Sequence, residues 1–205
     1  MAVDLHLHTT ASDGSDSPQR VVELALEAEL TAIAITDHDN LDGIVEARTA
    51  AEGTDLEVVA GTELSVGWDT GAMHLLVYFL EPGPGPLQDR LAWLQRSRKA
   101  RNLRIVDRLN ELGLELTYGE VVEEAKGRGI GRPHFAGVLM QKGHVASIAE
   151  AFDRYLAVGG LAYEPRDRLP AVEAIALANA SGAVSSIAHP HTIGVGRDDY
   201  AHAFK

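Results

Sequence analysis

His6 and His8 stand two residues apart in Asp4-Leu-His-Leu-His8, with Asp13-Gly14 close behind. Further along come Thr36-Asp37-His38-Asp39, Gly61-Thr-Glu63 and Ala188-His189-Pro190-His191. Imidazole nitrogens and carboxylate oxygens are ligands for borderline divalent cations such as Zn²⁺, Mn²⁺ or Fe²⁺. Taken singly, each of these histidines would be read as a packed or exposed side chain. Taken together they are hard to obtain from packing, because buried ionisable groups are costly unless paired or bound to metal.

The elements around these clusters explain how they could meet. Val3 to Leu7 reads as a strand, and residues two apart on a strand project from the same side, so His6 and His8 can serve one cation. Ser17-Pro18 is a cap followed by proline at the first helical position. Val21, Leu24, Ala25 and Ala28 then recur at helical spacing, giving a helix from Pro18 to about Glu29. Thr31 to Thr36 is a continuous apolar run, as in a strand covered on both faces. A helix near Leu41 to Ala51 follows, then strands from Glu57 to about Val66 and from His74 to Leu80. Repeated strand–helix units predict an α/β fold with a parallel sheet or barrel. There the clusters at strand ends converge on one face.

Pro82-Gly-Pro-Gly-Pro86 breaks this pattern, and about seventy helical residues follow. Leu87 to Leu112 is one long helix, Thr117-Tyr-Gly-Glu120 is a capping box, and shorter helices are expected over Pro133 to Gln141 and Ser147 to Tyr155. Gly159-Gly160 marks the exit. A helix near Leu169 to Ala180 leads into a strand, Ala183 to Ala188. The expected organisation is a barrel domain over residues 1–97 and 161–205, with a helical insertion over 98–160.

Composition narrows the function. A net charge of −12, from 18 basic and 30 acidic residues, opposes a broad grip on duplex nucleic acid, which needs a basic face. It allows a small phosphorylated substrate, since bound cations reverse the local sign. With no cysteine, thiol nucleophiles and zinc–thiolate sites are excluded. No apolar run approaches the roughly 18 residues that span a bilayer, and the start lacks a secretory pattern. A cytoplasmic protein without a membrane partner fits.

The four motifs, Asp4 through Gly14, Thr36 through Asp39, Gly61-Thr-Glu63 and Ala188-His-Pro190, resemble those of the PHP (polymerase and histidinol phosphatase) family. The first is similar to the branch acting on nucleoside monophosphates, 3′,5′-bisphosphonucleotides and the 5′ ends of short RNAs. The resemblance implies a distorted (β/α)₇ barrel with up to three cations, Mn²⁺ foremost. His6 and His8 would hold the first, Glu63 would bridge to a second on His74 and His189, and Asp13 and His38 would hold a third. A bridging hydroxide would be the nucleophile. Alternatives within the resemblance are a non-catalytic metal-binding PHP domain and a histidinol-phosphate phosphatase.

In the insertion, Arg132 and His134 resemble the family's substrate-contacting pair, with Asn102 a further candidate. His191 would be substrate-facing or support a ligand. Arg101, next to Asn102 on the long helix, is a phosphate-binding candidate, while most of Arg101 and its neighbours Arg96, Arg98, Lys99 and Arg104 are expected to form a solvated helix face. Trp68 and Trp93 read as packing residues, and His144 and His202 have no evident role. The family's late Gly-Ser-Asp-x-His motif does not occur before Lys205. Asp198 and His202 do not match its spacing, so a barrel lacking its last strands, and an incomplete site, are expected.

Overall fold

Three strands lie side by side in parallel: β1 (Val3–Leu7), β2 (Ala32–Ile35) and β3 (Glu57–Gly67). Parallel neighbours need a crossover of a dozen or more residues, and two helices supply it. Helix α1 (Pro18–Glu27) starts on Ser17, whose hydroxyl accepts the Arg20 N–H at 3.2 Å, and α2 (Ile44–Ala51) joins β2 to β3. The buried stripe of α1 is Pro18, Val21, Val22 and Ala25, so Leu24 and Ala28 face outward. This computed structural model describes residues 2–68, 72–127, 129–196 and 199–200.

The sheet then departs from the all-parallel expectation. Strand β4 (Met73–Tyr78) runs antiparallel to β3, and β6 (Val184–Ala188) runs antiparallel to β4. Only residues 68–72 separate β3 from β4, too few for a crossover, so the chain must turn back. The order is β1-β2-β3-β4-β6, with the two-residue β5 (Leu169–Pro170) beside the end of β3. His74 therefore stands at a strand start, opposite Ser65 on one side and Ala188 on the other.

The chain divides into two units, Met1–Leu94 with Arg168–Lys205, and Gln95–Asp167. The first has two cores. Val22, Ile33, Ile35 and Ile44 fill one, and Leu64, Leu75, Val77, Leu80 and Leu87 fill the other with Ala174 and Ala178 of α7 (Ala171–Ala180). Each fully buried Leu or Ile contributes about 1.5–3 kcal/mol.

The long helix α3 (Pro86–Glu111) gives Ile105, Val106 and Leu109 to the core of the second unit, with Val121, Phe135, Leu139 and Leu156. Helix α4 (Tyr118–Ala125) opens on the expected capping box of Thr117 and Glu120. Helix α5 (Arg132–Gln141) follows, and α6 (Ile148–Ala151) passes into one π-helical turn, Phe152–Leu156, where a single helix was expected. Among the described residues no helix is long and apolar enough to cross a membrane.

Candidate metal centre

The Glu63 side chain lies in the middle of β3 at 1% exposure. Four imidazole nitrogens meet its two oxygens. Oε2 faces His6 Nε2 at 2.8 Å and His8 Nε2 at 2.9 Å. Oε1 faces His74 Nδ1 at 2.7 Å and His189 Nε2 at 2.8 Å. His38 completes the circle, with Nδ1 3.8 Å from Oε2. Successive ring centroids of His6, His8, His38, His74 and His189, and back to His6, are 5.1, 4.7, 5.2, 5.0 and 5.8 Å apart. Five imidazoles thus close a ring around one buried carboxylate.

Asp13 reaches the rim, with its oxygens 3.5 Å from His8 Nδ1 and 3.7 Å from His38 Nε2. All seven side chains read from the sequence as metal ligands converge here.

Backbone architecture fixes these positions. His6 and His8 share one face of β1 through the two-residue period of a strand. His38 is bridged to Glu63 itself: Glu63 N–H donates to Asp37 O at 3.2 Å and Asp39 N–H to Glu63 O at 3.1 Å. Two residues that sequence reasoning grouped with His38 are structural. Asp37, 1% exposed, accepts the Thr9 N–H and hydroxyl at 2.7 Å each and the Ser12 hydroxyl at 2.5 Å, holding the loop that carries Asp13. Asp39 accepts the Ser65 N–H at 3.1 Å. Gly14 closes the same loop so tightly that a Cβ would lie 2.4 Å from the His8 carbonyl oxygen.

A further contributor left no motif in the sequence. The Thr192 hydroxyl donates to Ala72 O at 2.9 Å and lies 3.2 Å from His189 Nδ1. It also lies 3.1 Å from His189 O; with its proton on either carbonyl it can accept from a His189 Nδ1–H, a tautomer that leaves Nε2 free for a cation. Such outer partners fix the tautomer and orientation of a ligating histidine. His189 itself has φ +27 at the end of β6, an uncommon backbone for a non-glycine residue.

The carboxylate and the imidazoles around it shift one another. Burial would raise the pKa of Glu63, but hydrogen bonds from His74, His8 and His6 hold it well below the usual carboxylate range. Burial pulls His8 down, yet its hydrogen bond and attraction to Glu63 leave it raised overall, while burial dominates at His38 and lowers it. Nδ1 of His8 and Nδ1 of His38 are buried without a hydrogen-bond partner. Nitrogen–oxygen separations of 2.7–2.9 Å match an edge of a coordination shell with ligands about 2.1 Å from a cation at right angles, roughly 3 Å. The donor set fits divalent metal. Two ligand groups are formed, His6-Glu63-His189 and His8-His38-Glu63, with ligand atoms within 4.8 Å in each. His6 Nε2 and His8 Nε2 both face Glu63 Oε2, at 2.8 and 2.9 Å, and each also joins one of these groups.

The remaining candidates fall elsewhere. His191 is exposed, its ring 6.2 Å from that of His189. Asn102, Arg132 and His134 belong to the helical unit. There Arg132 donates to Leu156 O at 3.0 Å and lies 5.6 Å from the Tyr163 ring centroid, while His134 Nδ1 accepts the Gly131 N–H at 3.0 Å, capping α5. Arg101 is 6% exposed and so does not share the solvated face expected for most of this stretch. Burial first, then Arg166, Arg98 and Arg132, lowers its pKa to about 10. Asp198 and His202 lie outside the described residues.

A buried carboxylate ringed by imidazoles at the rim of a strand–helix sheet defines a metal-centred α/β protein. The PHP domain model matches residues 4–103, and the chain belongs to that family. It is 33% identical to the 5′-3′ exoribonuclease Rnm of Salmonella typhimurium over 91% of this chain and 64% of that protein. It is 28% identical to the 3′,5′-nucleoside bisphosphate phosphatase of Chromobacterium violaceum over 95% of this chain and 69% of that one. A solved structure of a proposed metal-dependent phosphoesterase from Bifidobacterium adolescentis is 30% identical, with a TM-score of 0.76 over 91% of this chain and 66% of its own. The chain thus spans about two thirds of the length of these relatives.

Proposed function

We propose that the protein is a metal-dependent phosphoesterase that hydrolyses a terminal phosphate on a nucleotide-like substrate: a nucleoside monophosphate, a 3′,5′-bisphosphonucleotide or the 5′ end of a short RNA. The observation that carries this is the closed ring of five imidazoles on one buried carboxylate, which gives two ligand groups sharing Glu63. The names of the Salmonella and Chromobacterium relatives support the nucleotide substrate.

His6, His8, Asp13, His38, Glu63, His74 and His189 would hold the cations, with Mn²⁺ the first choice and Zn²⁺ or Fe²⁺ compatible with the same donors. When bound, such cations offset phosphate charge and lower the pKa of water towards neutrality. The protein's part is positional. Glu63 and the β3 backbone fix the ring, Asp37 fixes the loop of Asp13, and Thr192 sets the His189 tautomer.

For substrate binding we propose Arg132, His134, Asn102 and His191. A guanidinium presents a planar fork to phosphate oxygens. His134, accepting at Nδ1, carries its ring proton on Nε2 when neutral, where it donates. Phosphate release should be screened with Mn²⁺ across nucleoside monophosphates, 3′,5′-bisphosphonucleotides, 5′-phosphorylated short RNAs and histidinol phosphate. Release from the nucleotides and not from histidinol phosphate is expected. Release from histidinol phosphate alone would remove the nucleotide reading.

A further inference from the structure

The chain is strongly acidic, yet Arg96-Ser-Arg-Lys-Ala-Arg-Asn-Leu-Arg104 carries five cations and no acid. The structure sorts them. Arg104 pairs with Glu164 at 2.8 Å, and Arg101 is buried. Arg96, Arg98 and Lys99 instead line an open pocket of about 380 Å³ with Gln95, Asn102, Tyr118, Gly129 and Ile130. No acidic side chain is among these lining residues, and Arg96 and Lys99 have no ion-pair partner among the described residues.

The pocket floor is built. Asn102 is 1% exposed; its Oδ1 accepts Arg101 Nη2 at 2.7 Å, and among the described residues its Nδ2 makes a long contact, 3.4 Å, to Ile130 O. The Asn102 amide is thus oriented by a buried arginine whose own Nε has no partner. Tyr118, partly buried against the helical core, presents a ring beside the cations.

We propose that this pocket is a nucleotide subsite for single-stranded oligonucleotide: one unstacked base lies against Tyr118 and meets the Asn102 amide, and the phosphates flanking it lie on Arg96, Arg98 and Lys99. The inference rests on the nucleotide reading above and adds to it a binding site within the helical unit. Cations alone would suit any polyanion. The aromatic ring and the fixed amide favour a base, because stacking on an aromatic side chain and hydrogen bonds to base edges are how single strands are read. The volume sits at the small end for ligand pockets, and a base paired in a duplex has its reading edge already engaged.

The test is fluorescence anisotropy with a dye-labelled, 5′-phosphorylated RNA pentanucleotide on metal-free protein in chelator, where no turnover occurs. Arg96→Ala/Lys99→Ala changes two exposed residues. It should weaken binding at least tenfold and reduce the slope of log K against log salt by about 1.4, at roughly 0.7 per phosphate contact on a single strand. Tyr118→Leu should weaken it about fivefold to 100-fold. Phosphate release from a nucleoside 3′,5′-bisphosphate by the Mn²⁺-loaded double variant should be unchanged. Unchanged affinity and slope in the double variant would overturn the subsite. So would equal competition by polyglutamate or by duplex RNA of the same length. If no substrate releases phosphate, the phosphoesterase reading fails, and the anisotropy still decides this one.

Discussion

The two units place their charged side chains by different means. In the sheet unit, six candidate ligands from five separate stretches of chain gather around a seventh, the Glu63 carboxylate, each aimed by strand register or by a loop pinned to a buried side chain. In the helical unit, Arg96, Arg98, Lys99, Arg101 and Asn102 come from less than two turns of one helix. The first arrangement has little slack, since a shift of any strand moves a ligand out of reach. The second is tolerant, since a helix keeps its own residues in fixed relation whatever surrounds it. Single substitutions should therefore act sharply in the sheet unit and in graded steps on the helix.

The largest contrast comes from Glu63→Gln. It removes an anionic ligand from both groups at once, where loss of an outer partner alone costs about 10–100-fold. Mn²⁺ affinity by calorimetry should fall on the order of 10³-fold, about 4 kcal/mol. A fall under tenfold would break the idea that this carboxylate is shared. Phe135→Ala, at a fully buried site of the helical core, should destabilise the protein by about 3–5 kcal/mol. Below the new transition in urea, Mn²⁺ stoichiometry should stay as it was.

Arg132→Ala should lower kcat/KM by about 1.5–3 kcal/mol, the range for a charged hydrogen bond, with metal content unaltered. Arg132→Lys should recover part of that, keeping charge without the fork. Unchanged kinetics would remove Arg132 from substrate binding. Thr192→Val sharpens the comparison from the other side. It touches no carboxylate, yet Mn²⁺ affinity should drop about 10–100-fold as the His189 tautomer is released. The smallest effect is expected from Thr117→Ala at the start of α4, about 1 kcal/mol in urea unfolding, with no change in metal or substrate binding.

Much of this was legible in the residues because the patterns are local. The period-two spacing of His6 and His8, the Ser17 cap, the Thr117 capping box and the apolar run before Thr36 each name an element without help from distant contacts. What stayed hidden depends on pairing. The short link after β3 forces β4 to turn back, and only that reversal brings the His74 end of β4 beside Ala188. The distribution of ligands into two groups follows from how β1 and β6 flank the sheet, which no motif states. Arg101 reads like its neighbours in sequence, and only the packing of α3 buries it. Thr192 acts through one hydroxyl, which carries no spacing signal.

The sharing of Glu63 has a thermodynamic consequence. Two binding events that use one carboxylate are linked: whatever factor the first cation imposes on the affinity for the second, the second must impose on the first. The sign is a contest. The first cation orders imidazoles that the second group needs, yet it also takes up charge on the oxygen pair both would use. A titration should therefore not fit two independent steps, and its curvature would report which influence is stronger.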